Sequence, residues 1–332
     1  MVSPELTEKV AGLLQSCGIA PTGLSLSVVG GGGNNQVFSV NIDTRRYLAK
    51  AYFNHPADTR DRLGAEYAFL SYAATLGLKT VPTPIARSSA DHLGIYEFID
   101  GVKITADTLQ HHHVRSAAQF IAALNGMSRR DAVLPPASEA CFSIEQHLDM
   151  VDRRLQRLQD IAGDGDLQRR ARELVRQLTD AWHRRRAQIA AAAAPDLSED
   201  DRCISPSDFG FHNVLLKNDG ALCFIDFEYA GWDDPAKLIG DFFCQPAVPV
   251  PPVYFDEFAA MVVSYSVRPE ALRERAYLLL PAFQIKWCCI MLNEFLPAAA
   301  QRRQFADPTS SLDQRQRKQL DKTEQFFQSR LV

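Results

Sequence analysis

The chain has 332 residues, 46% of them hydrophobic and 23% charged, with a formal net charge of −4. This is the balance of a folded soluble protein long enough for two cores, and it offers no electrostatic case for a nucleic-acid partner. Seven cysteines, an odd count with no C-x-x-C spacing, argue against a disulfide frame or a zinc site and for reduced thiols in a cytoplasmic protein.

The first twenty residues lack the basic start and apolar core of a signal peptide. Residues 4–17 have the spacing of a short amphipathic helix. LSLSVVG (24–30), NQVFSVNI (35–42) and YLAKAYF (47–53) are rich in β-branched and aromatic residues and predict three strands. A helix over 58–77 ends at Gly77, and TPIARSS (83–89) and HLGIYEFID (92–100) predict two more strands. Helical spacing then dominates to Ala193, so a domain boundary is expected near residue 100. A trio of short strands interrupts it at 203–205, 214–217 and 221–226, the last two joined by Asn218-Asp219-Gly220, where Asp-Gly suits the positive φ angles of a tight hairpin. The apolar stretch at 276–296 is broken by Pro281 and Lys286, which predicts a buried helix pair rather than a membrane span. No internal repeat is present.

Several residues could carry chemistry. The run Gly30–Gly33 with Asn34 and Asn35 lets a backbone approach a phosphate closely, although a flexible hairpin turn explains it equally well. Lys50 lies in the third strand, where alternation alone would face it to solvent; a strand lysine after a strand–glycine–strand unit is also where kinase folds pair the nucleotide phosphates. Glu66, sixteen residues on, could form an ion pair with it. Asp208 and Asn213 have the D-x-x-x-x-N spacing of a kinase catalytic loop, which chance would supply about once in a chain this long. Asp226 follows at the end of the hairpin strand, and a carboxylate with an amide oxygen makes a hard donor set suited to magnesium. The order of these elements is what weighs: glycine loop, strand lysine, helix acid, D-x4-N loop, hairpin, aspartate.

In that order they resemble the aminoglycoside phosphotransferase/choline kinase family, relatives of protein kinases that phosphorylate small molecules. The likeness spans about residues 25–245 and is most specific at SDFGFHNVLL (207–216) and FIDFEYAGWDDP (224–235). It implies an α+β, two-lobed protein-kinase-like fold. Residues 1–100 would form a mostly antiparallel sheet with one helix and bind nucleotide. Residues 101–332 would form a helical lobe with the catalytic loop at 205–216 and substrate-binding helices over 245–332. By the same resemblance Gly31, Gly32, Gly33, Asn34, Asn35, Lys50 and Glu66 serve ATP, with GTP left open. Tyr96, Glu97, Phe98 and Ile99 form the adenine hinge, Asp208 is the base, and Asn213 and Asp226 hold Mg²⁺. The acceptor would be a hydroxyl of a small molecule such as an amino sugar, a sugar or a choline-like alcohol.

Acids and aromatics near the cleft that would suit a cationic acceptor are Glu228, Trp232, Asp233, Asp234 and Trp287, with Asp241, Glu257, Glu294, Tyr254, Phe255 and Phe283 as further candidates. The chain departs from the family at Pro206-Ser207, where His-Gly or a similar pair is usual, and at Leu238, where the D-P-x-x-D pattern would place an aspartate. These departures leave a second reading, a nucleotide-binding regulatory protein without turnover, though the complete set of five polar residues argues against it. His111–His113 reads as a surface helix start, because neighbouring residues splay around a helix. The ten arginines between Arg153 and Arg186, interleaved with acids, read as a salt-bridged helical hairpin. No membrane partner is expected, and a homodimer stays open.

Overall fold

The computed structural model describes residues 2–30, 35–54, 60–192, 194–297 and 311–331. Alternating residues along the second and third strands divide between the two faces of one antiparallel sheet. Its strands are β1 (Ser25–Val28), β2 (Gln36–Ile42), β3 (Arg45–Ala51), β4 (Pro84–Ser88) and β5 (Leu93–Glu97), in the order β1-β2-β3-β5-β4. Phe38, Val40, Ile42, Tyr47 and Ala49 face one way and bury Val10 and Leu14 of helix α1 (Pro4–Ser16) in a small core of their own. Ser3 caps α1 and Asp61 caps α2 (Arg62–Thr75), each side chain accepting a backbone N–H at the helix start. The apolar face of α2 (Leu63, Phe69, Leu70 and Ala73) joins the larger core that runs through the rest of the protein. Two helices therefore flank this sheet, where the resemblance implied one.

The C-terminal part is mostly helical: α3 (His111–Leu124), α4 (Ile144–Leu158), α5 (Asp166–Ala191), α6 (Pro235–Cys244), α7 (Phe255–Val262), α8 (Pro269–Leu292) and α9 (Leu312–Arg330). Residues 125–143 are not continuous helix as periodicity suggested; 135–138 run alongside 229–232 through Trp232 N–H to the Pro135 carbonyl (2.9 Å) and Ala137 N–H to the Trp232 carbonyl (2.8 Å). The expected strand trio divides between two sheets. β7 (Cys203–Ser205) pairs with β10 (Gly231–Asp233), while β8 (Val214–Leu216) pairs with β9 (Leu222–Phe224) and with β6 (Val102–Lys103). In the β8–β9 turn only Gly220 takes positive φ, +82°. The turn is a three-residue loop closed by Lys217 N–H on the Ala221 carbonyl at 2.9 Å, not a two-residue hairpin.

The predicted helix pair at 276–296 is instead the single helix α8, which runs through Pro281. Among the described residues it is the one helix long and apolar enough to cross a membrane, and more than half of that stretch is buried in the protein. Its Lys286 is buried and held by both oxygens of Asp241 at 2.7 and 2.8 Å, so the charge that would interrupt an apolar run is compensated. The arginine-rich region is the salt-bridged pair α4 and α5, with Arg186 reaching Glu145 and Asp152 and Arg170 reaching Asp321 and Glu324 of α9. Of the histidine run, His113 is buried, and its Nδ1 accepts Gln110 N–H at 3.1 Å as part of the α3 cap. No group of three or more His, Cys, Asp or Glu arranged to hold a metal occurs among the described residues.

Candidate active site

The alternation Asp208-Phe209-Gly210-Phe211-His212 sorts the loop between β7 and β8. Phe209 and Phe211 are buried, with ring centroids 5.2 and 5.5 Å from that of Phe242. Asp208 and His212 keep partial access to solvent, whereas Gly210 between the rings is buried. The Asp208 side chain is 37% exposed and its Oδ1 lies 3.3 Å from His212 Nε2. Asn213 Nδ2 donates to the Asp208 carbonyl at 3.1 Å, and the Asn213 carbonyl accepts Ile225 N–H at 2.9 Å. The second bond sets Asn213 against the strand end that leads into Asp226. Asp226 holds φ at +70°, a left-handed value that aspartate tolerates better than most residues.

Strand alternation would have faced Lys50 to water. It faces away from α1 instead, and α2 and the segment after β9 cover it to 5% exposure. Its Nζ donates to Glu66 Oε2 at 2.7 Å and to Asp226 Oδ1 at 2.5 Å. Glu66 also accepts Tyr52 Oη–H at 2.6 Å and Phe227 N–H at 3.2 Å, and the Tyr52 hydroxyl lies 2.6 Å from that of Tyr96. One turn beyond Glu66 on α2, Phe69 stacks on Phe227 with centroids 4.4 Å apart. That ring contact locks α2 to the residue after Asp226, and so brings the acid, the lysine and the aspartate together. Burial alone would push the Lys50 ammonium down, but the carboxylates of Asp226, Glu66 and Glu228 outweigh it and hold its pKa well above the usual lysine value. Burial raises the Glu66 carboxyl against the pull of Lys50.

The donors present fit a hard divalent cation. One oxygen of Asp226 is taken by Lys50; the other, and the Asn213 amide oxygen, have no hydrogen bond among the described residues. Two oxygen donors suit an ion such as magnesium, which completes its shell with water and substrate phosphates rather than in a protein cage.

Gly31, Gly32, Gly33 and Asn34 lie outside the described residues. Asn35 is buried and donates to Glu228 Oε2 at 2.7 Å, while Arg62 Nε approaches the same oxygen at 3.3 Å. Glu228 thus ties the end of the glycine run to the start of α2, although it had been expected to face substrate. At the predicted hinge, Tyr96 is buried, Glu97 Oε2 accepts Thr83 N–H and Oγ–H at 3.0 and 2.8 Å, and the Arg46 guanidinium covers Phe98 at 3.9 Å; Ile99 is half-buried.

Asp233 and Asp234 need correction as substrate acids. Both have fully buried side chains: Asp233 accepts Lys237 Nζ at 2.7 Å, and Asp234 caps α6 while accepting His147 Nε2 at 3.0 Å and Arg275 Nε at 2.7 Å. Burial would raise the Asp234 carboxyl, yet His147 and Arg275 prevail and lower it. Asp241 is likewise held by Lys286, and Trp287 spends its indole N–H on Asp241 at 2.8 Å. Trp232 is half-buried in β10, whereas Phe255 and Phe283 belong to the core. Of the remaining candidates, Glu294 is buried against Arg315, and Glu257 is met at the surface by His111, which stacks on Tyr254. Sequence reasoning missed Tyr52, Lys103, whose Nζ donates to the His212 carbonyl at 2.8 Å, and the buried Lys237. Lys103 meets a partner 109 residues away, and the pairing of Lys237 with Asp233, four residues back on β10, has the spacing of an ordinary surface pair.

Solved structures with this fold include a choline/ethanolamine kinase family protein from Mesorhizobium loti, at 18% identity, 98% of this chain, 95% of that one and a TM-score of 0.59. A spectinomycin phosphotransferase in complex with ADP and spectinomycin matches at 14% identity over 97% and 98%, with a TM-score of 0.62. A choline kinase from Cryptosporidium parvum matches at 15% over 98% of both chains, with a TM-score of 0.55. At such identities the likeness is one of fold. No curated protein matches the sequence significantly. The model of the phosphotransferase enzyme family matches residues 25–240, spanning the glycine run, Lys50, Glu66, Asp208, Asn213 and Asp226. The chain belongs to that family.

Proposed function

We propose that the protein is an ATP- and magnesium-dependent kinase that moves the γ-phosphoryl group to a hydroxyl of a small molecule. The observation that carries this is the meeting of Lys50 Nζ with Glu66 and Asp226, at 2.7 and 2.5 Å, beside the loop of Asp208 and Asn213. Residues 1–100 would receive the nucleotide, and residues 101–332 would supply the catalytic loop and, from 245 onwards, the acceptor-side helices. Lys50 would meet the nucleotide phosphates, oriented by Glu66. Asp208 would accept the hydrogen bond, and then the proton, of the attacking hydroxyl. Asn213 and Asp226 would hold magnesium, which supplies charge neutralisation at the phosphates when bound. Phosphoryl transfer draws on positioning and electrostatics more than covalent chemistry, and the site's parts are of that kind.

For the acceptor, the internal pairing of Asp233, Asp234 and Asp241 removes three acids that would have recognised a cation. Neutral sugars therefore belong in the trial beside amino sugars and choline- or ethanolamine-like alcohols. The test is ADP production across that panel, with GTP alongside ATP and Asp208→Asn as the blank. Asp208→Asn should lower kcat by on the order of 10³-fold or more. Near-normal turnover by Asp208→Asn would remove the base assignment, and binding of Mg·ATP with no product from any acceptor would remove the kinase reading.

A further inference from the structure

The residue before Asp208 is held in an unusual way. Ser207 is buried and keeps φ at +65°, a left-handed value that a residue with a side chain retains only when its surroundings impose it. The turn is closed over three residues, with Asp208 N–H donating to the Pro206 carbonyl at 2.9 Å. With a positive central φ this is the rare, strained form of the γ-turn.

Three bonds impose it. Ser207 N–H donates to Ser205 Oγ at 3.0 Å. Ser207 Oγ accepts Lys237 Nζ at 3.1 Å and donates to the Ser138 carbonyl at 3.4 Å. Lys237 is 1% exposed and is itself fixed by Asp233 Oδ2 at 2.7 Å. Ser138 N–H in turn donates to the Tyr229 carbonyl at 2.9 Å. One hydroxyl therefore joins the entrance of the Asp208 loop to helix α6 and, through Ser138, to the segment that follows Asp226. Glycine would adopt this φ without cost, so what serine adds at this position is its hydroxyl.

We infer that Ser207, anchored by Lys237, is a positioning residue that sets the direction of Asp208 relative to Asn213 and Asp226; this rests on the reading of Asp208 as the base. Ser207 lies in the Pro206-Ser207 pair, where the chain departs from the family's usual residues, so the departure carries its own means of holding the loop.

Ser207→Gly removes the hydroxyl and relieves the backbone, and Ser207→Ala removes the hydroxyl alone. A residue that merely completes a turn predicts that Ser207→Gly melts at or above wild type with unchanged turnover. The positioning role predicts that both variants lower kcat by about 10- to 100-fold, with KM for ATP and calorimetric Mg·ADP affinity within about threefold of wild type. Ser207→Gly should melt no lower than the wild-type protein. ADP release is followed with water as acceptor, and in parallel with the best acceptor from the panel above. Wild-type kcat in Ser207→Gly, or an equal loss of kcat and Mg·ADP affinity, overturns the inference. Asp208→Asn separates the two levels: if it is inactive while Ser207→Gly is normal, only the positioning role falls; if it turns over normally, the base assignment falls first.

Discussion

Replacing Lys50 with Met tests the electrostatics of the site directly. Met fills nearly the same space, so the change is chiefly one of charge. The Lys50 and Glu66 side chains are each 6% exposed, and that of Asp226 is 36% exposed. Without the ammonium, two carboxylates face one another with no cation between them. Asp226 can turn its charge toward water, and Glu66 cannot. Breaking a buried pair by removing one partner costs on the order of 3–5 kcal/mol. Protonation of Glu66 sets a ceiling on this. Keeping a carboxyl of ordinary pKa 4.5 protonated costs about 1.36 kcal/mol per pH unit, or about 3.4 kcal/mol at pH 7. Unfolding entropy of about 2.1 cal/mol/K per residue gives roughly 0.7 kcal/mol/K for this chain, so Tm should fall by about 4–5 °C. The sign of the pH dependence follows from the same group. Removing Lys50 raises the folded pKa of Glu66 further above its unfolded value, so the variant loses stability as pH rises through that interval. The Tm difference between Lys50→Met and wild type, measured by scanning fluorimetry from pH 5 to 8, should therefore be small near pH 5 and largest above pH 7. The double variant Lys50→Met/Glu66→Gln should recover most of the loss at pH 7.5. A deficit that is absent, or the same at pH 5 and pH 7.5, would refute the account.

Asp234→Ala should cost about 3 kcal/mol or more, because it leaves Arg275 and His147 buried without their carboxylate and removes the α6 cap; chemical denaturation reads the loss. The folded pKa of Asp234 is depressed, so the wild-type advantage should persist from neutral pH down to the ordinary aspartate value of 3.8 and disappear as pH falls further; acceptor KM should stay unchanged. At Gly240 an added Cβ would lie 2.1 Å from the Phe283 ring, whose side chain is fully buried. Gly240→Ala would gain roughly 1 kcal/mol of helix propensity but overpack the α6–α8 contact by about 1–3 kcal/mol, so a net fall in Tm is expected, and a rise would show that the helices separate freely.

Elements made by local patterning were legible in the chain. Helical spacing located α1 and α2 to within a few residues, with Gly77 marking the end of α2, and runs rich in β-branched and aromatic residues pointed to the strands of the first sheet. The kinase-like order of Lys50, Glu66, Asp208, Asn213 and Asp226 survives in the sequence because those spacings are set by the elements between them. The illegible parts depended mostly on what packs around a residue in the folded chain. Asp233 and Asp234 look like any polar loop acids until Lys237, His147 and Arg275 reach them, the last two from 87 and 41 residues away. Pro281 looks like a break until α8 is seen to run through it.

By itself, then, the sequence determined the secondary elements and the order of the chemical groups, which follow from local pattern and short spacings, and that order carried the resemblance from which the fold class and the family were expected. Only the tertiary structure decided which charges are available. Lys50 sits on a strand that alternation would turn to solvent, and Asn35 meets Glu228 across 193 residues of chain. Whether a charged side chain stays solvated, pairs or remains poised for a ligand depends on what folding packs around it, because burial without a partner is too costly to persist.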